Sequence, residues 1–343
     1  MIRFASLCAG CGGIDLGLEQ AGMVCVYACE IDKYACKLYR QNLNPDVLFE
    51  GSLFDIDPGT LPDFDLLCAG FPCQPFSLAG ERKGFDDPRG NVFFGIAKIL
   101  EAKKTPMVLL ENVAGLVSHD GGNTLRVILN TLYEMGYAIR YELLNARTHA
   151  NVPQNRERIF IVGFLDHDAA LRFMFPDPIP LTRSVRDVID FDATVEDVYY
   201  ITASGKKPEI WDAYNSRKDP GIYRYSAFTK GTKPRRLSGG GNTSPALCSY
   251  EGTKRPLLLR QNNGMLRHVT PHEYFALQGF PVDAMGSGRT FDLSAVSKTQ
   301  AYKIAGNSVC VPLITRIGKA ITDAVNGTGI PRPRQTDLFE GLR

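Results

Sequence analysis

The sequence predicts an α/β protein built on a doubly wound, mostly parallel sheet, with a second, smaller domain that is loop-rich and β-leaning. Short β-rich apolar runs alternate with amphipathic stretches through the first 165 residues, which is the pattern of a parallel sheet covered on both faces. Runs such as MVLL and RIFIVGF are almost continuously apolar, as expected of strands buried on both sides. With 343 residues, the chain is long enough for one large and one small domain.

The individual elements follow from the spacing of apolar residues. Strands are predicted at residues 3–7, 24–28, 65–69, 107–110, 137–144 and 158–164. Helical spacing covers residues 14–21, 32–42, 91–103 and 124–135, and it resumes at 271–277, 299–304 and 310–324. Proline clusters near residue 176 and irregular Gly-, Ser- and Arg-rich runs follow it. We therefore expect domains at 1–180 and 181–268, a return to the first domain over 269–325, and a flexible tail at 326–343.

Charge and cysteine content narrow the class of function. Residues 202–267 hold 13 Lys and Arg against 4 Asp and Glu, a local net charge of +9, so the rest of the chain carries −7. A basic field of this kind suits a polyanion, although a solvated basic face has the same composition. Nine cysteines without an export signal indicate reduced thiols in the cytoplasm. No apolar run approaches the roughly 18 residues of a membrane helix, so membrane insertion is not expected.

A glycine-rich turn follows the first predicted strand. The turn, Cys8-Ala9-Gly10-Cys11-Gly12-Gly13, leads into a helix, and its glycines let a ligand approach the backbone at the carboxyl edge of the sheet. Glu30 follows the second strand, where a carboxylate can accept both hydroxyls of a ribose. The pattern favours a nucleoside cofactor over an ordinary tight turn. The cysteines and histidines lack the paired spacing of metal ligands, so no metal is expected.

Three reactive groups stand at the ends of three further strands. Cys73 lies between two prolines in Gly70-Phe71-Pro72-Cys73-Gln74-Pro75, a rigid turn that is hard to explain as core filling, although a buried inert cysteine is the alternative. Glu111-Asn112-Val113 follows the next strand, and Gln154-Asn155-Arg156-Glu157-Arg158 opens the last one. A thiol, a carboxylate and a guanidinium at one sheet edge can converge on a small planar substrate.

In their order and spacing these motifs resemble the bacterial DNA (cytosine-5)-methyltransferases of restriction–modification systems. The resemblance also includes residues 4–13, Arg267-His268-Val269-Thr270-Pro271-His272-Glu273 and Ala305-Gly306-Asn307-Ser308-Val309. It implies the S-adenosylmethionine-dependent methyltransferase fold, with a catalytic domain at 1–180 and a target-recognition domain at 181–268. It also implies methylation of carbon 5 of a cytosine within a short duplex DNA sequence.

The family chemistry assigns a role to each reactive group. Cys73 would add to carbon 6 of the cytosine, which activates carbon 5 toward the methyl group of S-adenosyl-L-methionine. Glu111 would hold or protonate ring nitrogen 3, Arg158 would contact the carbonyl oxygen, and Arg156 would brace the site or a phosphate. Because this chemistry cannot occur inside a stacked duplex, the resemblance implies that the base is flipped out.

The resemblance also implies the cofactor and DNA contacts. The cofactor residues are Cys8, Ala9, Gly10, Cys11, Gly12, Gly13, Glu30, Ile31, Ser52, Leu53, Gly70, Pro72, Val92, Asn307, Ser308 and Val309. The DNA-contacting residues are Gln74, Ser77, Arg89, Arg224, Lys233, Arg235, Arg236, Ser238, Gly239, Gly240, Asn242, Tyr250 and Lys254, with residues 77–90 forming a catalytic lid. Many relatives carry aromatic residues where Cys8 and Ile31 stand and an aspartate where Ser52 stands, so the adenine subsite is altered here.

Partners and alternatives complete the sequence-based hypothesis. We expect a monomer that works at the bacterial nucleoid and protects host DNA from a cognate restriction endonuclease. Gln335-Thr336-Asp337-Leu338-Phe339 is similar to the pentapeptide by which bacterial proteins dock on the replication sliding clamp. The alternatives are a tRNA cytosine-5 methyltransferase, a catalytically silent DNA-binding regulator, and a nucleotide-dependent oxidoreductase. The long basic middle region disfavours the first, and the intact Cys73, Glu111 and Arg158 disfavour the other two.

Overall fold

The computed structural model describes residues 1–72, 92–202, 219–225, 237–239, 241–248, 257–282 and 291–328. Its largest element is a seven-stranded sheet in the order β3-β2-β1-β4-β5-β8-β6. The strands are β1 (Arg3–Leu7), β2 (Val24–Glu30), β3 (Leu48–Glu50), β4 (Leu66–Gly70), β5 (Met107–Val113), β6 (Ala138–Asn145) and β8 (Glu157–Phe164). All run parallel except β8, which is antiparallel to both of its neighbours. The predicted mostly parallel α/β sheet is thus confirmed.

The strand order reverses beside β1. From β1 the chain first builds outward through β2 and β3, and it then returns to place β4 on the other side of β1. In open α/β sheets the crevice at such a reversal, outside the carboxyl ends of the strands, is where ligands bind.

Helices cover both faces of the sheet. The helices in the described residues are α1 (Gly13–Gln20), α2 (Lys33–Asn42), α3 (Val92–Lys103), α4 (Asn123–Glu134), α5 (Ala146–His149), α6 (His167–Arg172), α7 (Pro271–Ala276), α8 (Lys298–Asn307) and α9 (Val311–Val325). On one face, α1 packs against α9, where Leu18 joins Ile314, Ile317 and Ile321 in the core. On the other face, α3 and α4 bury their own apolar stripes against the strands. Helix α9, from the last described part of the chain, therefore packs beside the first strands.

The middle region contributes a small antiparallel sheet in the order β11-β10-β13-β14-β9. These strands are β9 (Tyr200–Ile201), β10 (Gly221–Tyr225), β11 (Leu237–Gly239), β13 (Leu257–Arg260) and β14 (Leu266–His268). A separate two-stranded ladder pairs β12 (Ser244–Pro245) with β7 (Gln154–Asn155). That ladder joins the middle region to the segment that opens β8.

The sequence-based elements agree with the structure to within a few residues at their ends, and the differences are informative. The short elements β3, α5 and α6 were not predicted because six or fewer residues carry too little periodicity. The last predicted strand, at 158–164, is the one that runs antiparallel. No helix in the described ranges is long and apolar enough to cross a membrane.

Candidate active site

The glycine-rich turn lies at the strand reversal, between β1 and α1. Cys8, Gly10 and Gly12 all have positive φ angles, of 53°, 60° and 84°, so the backbone doubles back on itself there. The turn is closed by the Gly12 amide, which donates to the carbonyl oxygen of Ala9 at 2.9 Å. A Cβ atom on Gly13 would lie 2.6 Å from Ser308 Oγ, which is closer than Cβ atoms come in real proteins. Glycine at 13 therefore allows the segment after α8 to approach the turn.

Glu30 holds the turn from the end of β2. Its Oε2 accepts the Gly10 amide at 2.7 Å, and its Oε1 accepts the amides of Ile31 at 2.9 Å and Asp32 at 2.7 Å. A carboxylate offers about four lone-pair positions, so about one is left for a ligand hydroxyl. A second ribose hydroxyl, as the sequence predicts, would have to share an oxygen with a backbone amide.

These groups surround a pocket of about 460 Å³. One wall is the turn and Glu30, and the opposite wall comes from Asn307, Ser308 and Val309 at the end of α8. The thiol of Cys11 joins the two walls through a contact of 3.8 Å to Ser308 Oγ. The pocket thus assembles the first strand–turn–helix unit and a segment near the C-terminal end of the described chain.

The pocket continues into a pair of charged groups at the same edge of the sheet. Glu111, near the end of β5, lies beside Arg158, near the start of β8, with 3.2 Å between Glu111 Oε1 and Arg158 Nε. Because β8 runs antiparallel, its first residues pair with the carboxyl end of β5, which in turn pairs with the carboxyl end of β4. Burial raises the pKa of the Glu111 carboxyl, and the nearby Arg158 and Arg156 oppose that rise. The site therefore favours a carboxyl that binds a proton more readily than one in water.

Asn112 fixes the strand that leads to the predicted nucleophile. Its side-chain amide donates to the carbonyl oxygen of Phe71 at 2.9 Å, and this contact is buried. Pro72 follows and lines the pocket. Cys73, the next residue, lies outside the described residues, as do Gln74, Ser77 and Arg89 of the predicted lid.

Arg156 lies behind the Glu111–Arg158 pair and is only 2% exposed. Its guanidinium donates to the carbonyl oxygens of Leu247 at 3.1 Å, Gly306 at 3.4 Å, and Ser308. Burial lowers the pKa of this guanidinium to about 9, and the neighbouring Arg158 adds to the effect. Arg156 therefore joins two backbone segments through three carbonyl oxygens, and this geometry favours bracing over a phosphate contact.

Comparisons with known proteins identify the chain. Residues 2–323 match the family model described as C-5 cytosine-specific DNA methylase. The chain belongs to this family. It is 40% identical to Type II methyltransferase M.Bsp6I of Bacillus sp. (strain RFL6) over 328 residues, which cover 94% of this chain and 98% of the relative. It is 41% identical to Type II methyltransferase M.NlaX of Neisseria lactamica, over 95% of this chain and 98% of the relative.

Solved structures share the fold of this cytosine-5 methyltransferase. A Spodoptera frugiperda DNMT2 variant superposes with a TM-score of 0.69 at 18% identity, covering 94% of this chain and all of that one. A putative DNA modification methyltransferase from an Escherichia coli prophage gives a TM-score of 0.66 at 18% identity, over 95% of this chain. The chain is thus a DNA (cytosine-5)-methyltransferase that uses S-adenosyl-L-methionine, as the sequence motifs predict.

The pocket of the methyltransferase fits a nucleoside cofactor. Its volume falls in the range of small-molecule sites, and it combines an apolar wall with a few fixed polar groups. Ile31 is 71% exposed at its mouth, so an apolar side chain is available to cover a flat ring. Burial raises the pKa of the Cys8 thiol to about 12, so Cys8 meets a ligand as a neutral group.

The structure brings nearly all the predicted cofactor residues to this pocket. Fifteen line it: Cys8, Ala9, Gly10, Cys11, Gly13, Glu30, Ile31, Ser52, Leu53, Gly70, Pro72, Val92, Asn307, Ser308 and Val309. Gly12 does not; it faces away, and a Cβ there would lie 1.9 Å from Leu43 Cδ1 and 3.1 Å from the Tyr39 ring. Sequence reasoning missed Asp32, which lines the pocket and receives a 2.7 Å salt bridge from Lys303. Its position two residues after Glu30 was the available signal.

Fewer of the predicted DNA contacts can be located. Lys233, Arg235, Arg236, Gly240, Tyr250 and Lys254 lie outside the described residues. Ser238 and Gly239 belong to β11, and Asn242 is exposed just before β12. The half-buried Arg224, on β10, donates to the carbonyl oxygen of Ala246. This bond directs part of its guanidinium toward the protein rather than toward a groove.

Proposed function

We propose that this methyltransferase acts through a covalent adduct between Cys73 and a flipped-out cytosine. The Cys73 thiolate adds to carbon 6, and the electron pair of the broken ring double bond moves to carbon 5. Carbon 5 then takes the methyl group that the bound cofactor supplies, and S-adenosylhomocysteine is left as the second product. Removal of the carbon 5 proton and expulsion of the thiolate restore the double bond and yield 5-methylcytosine. A base within a duplex cannot receive this attack, so it must first leave the stack.

The paired Glu111 and Arg158 side chains carry this proposal. Glu111 would hydrogen-bond ring nitrogen 3, and its raised pKa favours the protonated carboxyl needed to neutralise charge on the ring. Arg158, with Nε 3.2 Å from Glu111, would donate to the carbonyl oxygen of the same base. Both line the pocket that Pro72 also borders, one residue before Cys73. Arg156 would brace the pair from behind through its backbone contacts.

The cofactor contacts are proposed from the pocket lining. Glu30 would accept a ribose hydroxyl, and Ile31 would cover one face of the adenine. The turn at 8–13 and residues 307–309 would enclose the remainder, and Ser52 and Leu53, which also line the pocket, would contact the adenine. Cys8, Ile31 and Ser52 replace residue types that many relatives carry, so we expect the adenine to be held mainly by apolar contact.

A trapping experiment tests the adduct. A duplex in which 5-fluorocytosine replaces the target base should become covalently attached to the protein in the presence of S-adenosyl-L-methionine, because no proton can be removed from carbon 5. Cys73→Ala should bind the same duplex without forming the adduct, which a denaturing gel separates. The expected target is found beforehand by bisulfite sequencing of DNA from cells that express the protein. An adduct formed by Cys73→Ala, or none formed by the wild type, contradicts the mechanism.

We propose that the middle region, residues 181–268, recognises the DNA target and that the enzyme as a whole protects host DNA. We assign the catalytic domain to 1–180, target recognition to 181–268, the hinge and return to 269–325, and a tail to 326–343. The charge of +9 over residues 202–267 supports contact with phosphates. Since the relatives named above are Type II methyltransferases, we propose that this enzyme acts at the nucleoid and protects host DNA from a cognate endonuclease.

A second contact is proposed for the tail. Residues 335–339 would place Leu338 and Phe339 in an apolar pocket of a replication sliding clamp, with Gln335 at its rim. These residues lie outside those the structure describes, so the proposal rests on the pentapeptide alone. Deleting residues 335–343 should abolish clamp binding measured by surface plasmon resonance. Unchanged binding would remove the idea without affecting the methyltransferase assignment.

A further inference from the structure

A buried carboxyl group lies beneath the glycine-rich turn, outside the pocket itself. Asp15, in the first turn of α1, has no exposed surface and does not line the pocket. The proposed chemistry does not use it. An isolated buried carboxylate is costly, so one that is retained needs partners that stabilise it.

Three side chains from three different elements converge on Asp15. Ser6, on β1, donates to Oδ2 at 2.7 Å, and Tyr39, on α2, donates to Oδ1 at 2.7 Å. The thiol of Cys25, on β2, approaches Oδ1 at 3.5 Å. Burial raises the pKa of the Asp15 carboxyl, and the hydrogen bonds from these three partners oppose that rise. Asp15 therefore ties α1 to β1, β2 and α2 at one point.

This network touches the turn directly. The ring of Tyr39 packs under Gly12, where a Cβ would lie 3.1 and 3.2 Å from two of its carbon atoms. Ser6 stands two residues before Cys8, at the point where β1 enters the turn. Cys25 belongs to the same strand that ends in Glu30. A shift of Asp15 or Tyr39 would therefore move the turn relative to the carboxylate that holds it.

We propose that Asp15 is a positioning residue for the cofactor. Together with Ser6 and Tyr39, it fixes the position of the turn, residues 8–13, relative to the sheet. The proposal rests on the assignment of residues 8–13 to the cofactor site made above. A misplaced turn weakens cofactor binding without touching the DNA or the reacting groups. The expected signature is a change confined to the cofactor.

Tyr39→Phe tests this, because it removes one hydrogen bond to Asp15 and keeps the ring against Gly12. The dissociation constant for S-adenosylhomocysteine, measured by calorimetry without DNA, should rise about threefold to tenfold, which is less than the full weight of one charge-assisted hydrogen bond because the bond reaches the cofactor only through the turn. The KM for S-adenosyl-L-methionine should rise by a similar factor, while kcat and the KM for DNA stay within about twofold. Asp15→Asn should give a larger effect in the same direction, because an amide places a donor against donors.

Tyr137→Phe is the matched control. Tyr137 is 2% exposed, packs in the core on the opposite face of the sheet, and donates one hydrogen bond, of 2.6 Å, to the carbonyl oxygen of Thr105. Both variants lose one buried phenolic hydroxyl, but only Tyr39→Phe should weaken cofactor binding. Equal effects of the two variants on the cofactor, or no effect of Tyr39→Phe, would overturn the proposal.

Two further measurements keep the result unambiguous. If Tyr39→Phe does not fold, Ser6→Ala removes the other short bond to Asp15 and is expected to show the same cofactor-specific weakening; its absence there would equally overturn the proposal. At saturating cofactor, Tyr39→Phe should still form the 5-fluorocytosine adduct. If the wild type forms no adduct, the proposed mechanism is contradicted. If Tyr39→Phe binds the cofactor with unchanged affinity, only the role of Asp15 is contradicted.

Discussion

Replacing Arg156 with lysine should destabilise the protein and slow methylation together. The guanidinium donates to carbonyl oxygens of Leu247, Gly306 and Ser308, which come from two separate parts of the chain. A lysine ammonium at this depth can reach one of these acceptors well. Losing two charge-assisted hydrogen bonds in a buried site should lower the free energy of unfolding by about 3–6 kcal/mol. Burial, which lowers the pKa of Arg156 to about 9, would also push a lysine there toward its neutral form.

Two assays check this. Urea unfolding at neutral pH measures the stability loss, and initial rates of methylation on an unmethylated duplex measure kcat/KM, which should fall at least tenfold as the wall at Ser308 loosens. Arg316→Lys is the control, since Arg316 donates to the carbonyl oxygen of His149 and does not line the pocket. Its stability should fall while kcat/KM stays within about twofold. If Arg156→Lys retained stability within about 0.5 kcal/mol and full activity, the bracing role would be refuted.

Three other substitutions have distinct expected outcomes. Glu111→Gln should reduce kcat by roughly 10²–10⁴-fold in single-turnover assays. Since burial raises the pKa of Glu111, the wild-type free energy of unfolding should fall relative to that of Glu111→Gln as the pH rises above 4.5. Urea titrations of both proteins at several pH values measure this difference, and a wild-type stability that rises relative to the variant would contradict it. Gly12→Ala should cost about 1–3 kcal/mol in thermal unfolding, because φ is 84° and Leu43 is in the way; a Tm equal to wild type would contradict this. Lys303→Met removes a half-exposed salt bridge to Asp32, so the free energy of unfolding should change by less than about 1 kcal/mol. The KM for the cofactor should rise two- to threefold. An unchanged KM would show that Asp32 is held by α2 alone.

Much of the fold could be predicted because its elements are long and apolar. The core strands such as β4 and β5 are buried along almost their whole length, so their residues read as continuous apolar runs. The direction of β8 could not be read in this way, because a run buried on both faces has the same appearance parallel or antiparallel. That direction is what places Arg158 beside Glu111.

The candidate site was predictable where chemistry depends on residue type and less so where it depends on packing. The turn could be predicted from its glycine content, and Glu30 from its position at the end of a strand. That Gly12 faces Tyr39 rather than the pocket depends on which helix lies behind the turn. Arg156 and Asp15 are held by residues that lie far from them in the chain. A local sequence pattern cannot predict such long-range contacts.

The Cys11–Ser308 contact bridges 297 positions of the chain. During synthesis, the ribosome releases the first wall of the cofactor site long before the second exists, so the ligand cannot help the early domain to fold. Once α8 and α9 have docked, ligand binding holds residues 8–13 and residues 307–309 together and should make their separation harder. The cofactor pocket is therefore complete only after residues 307–309 have been translated.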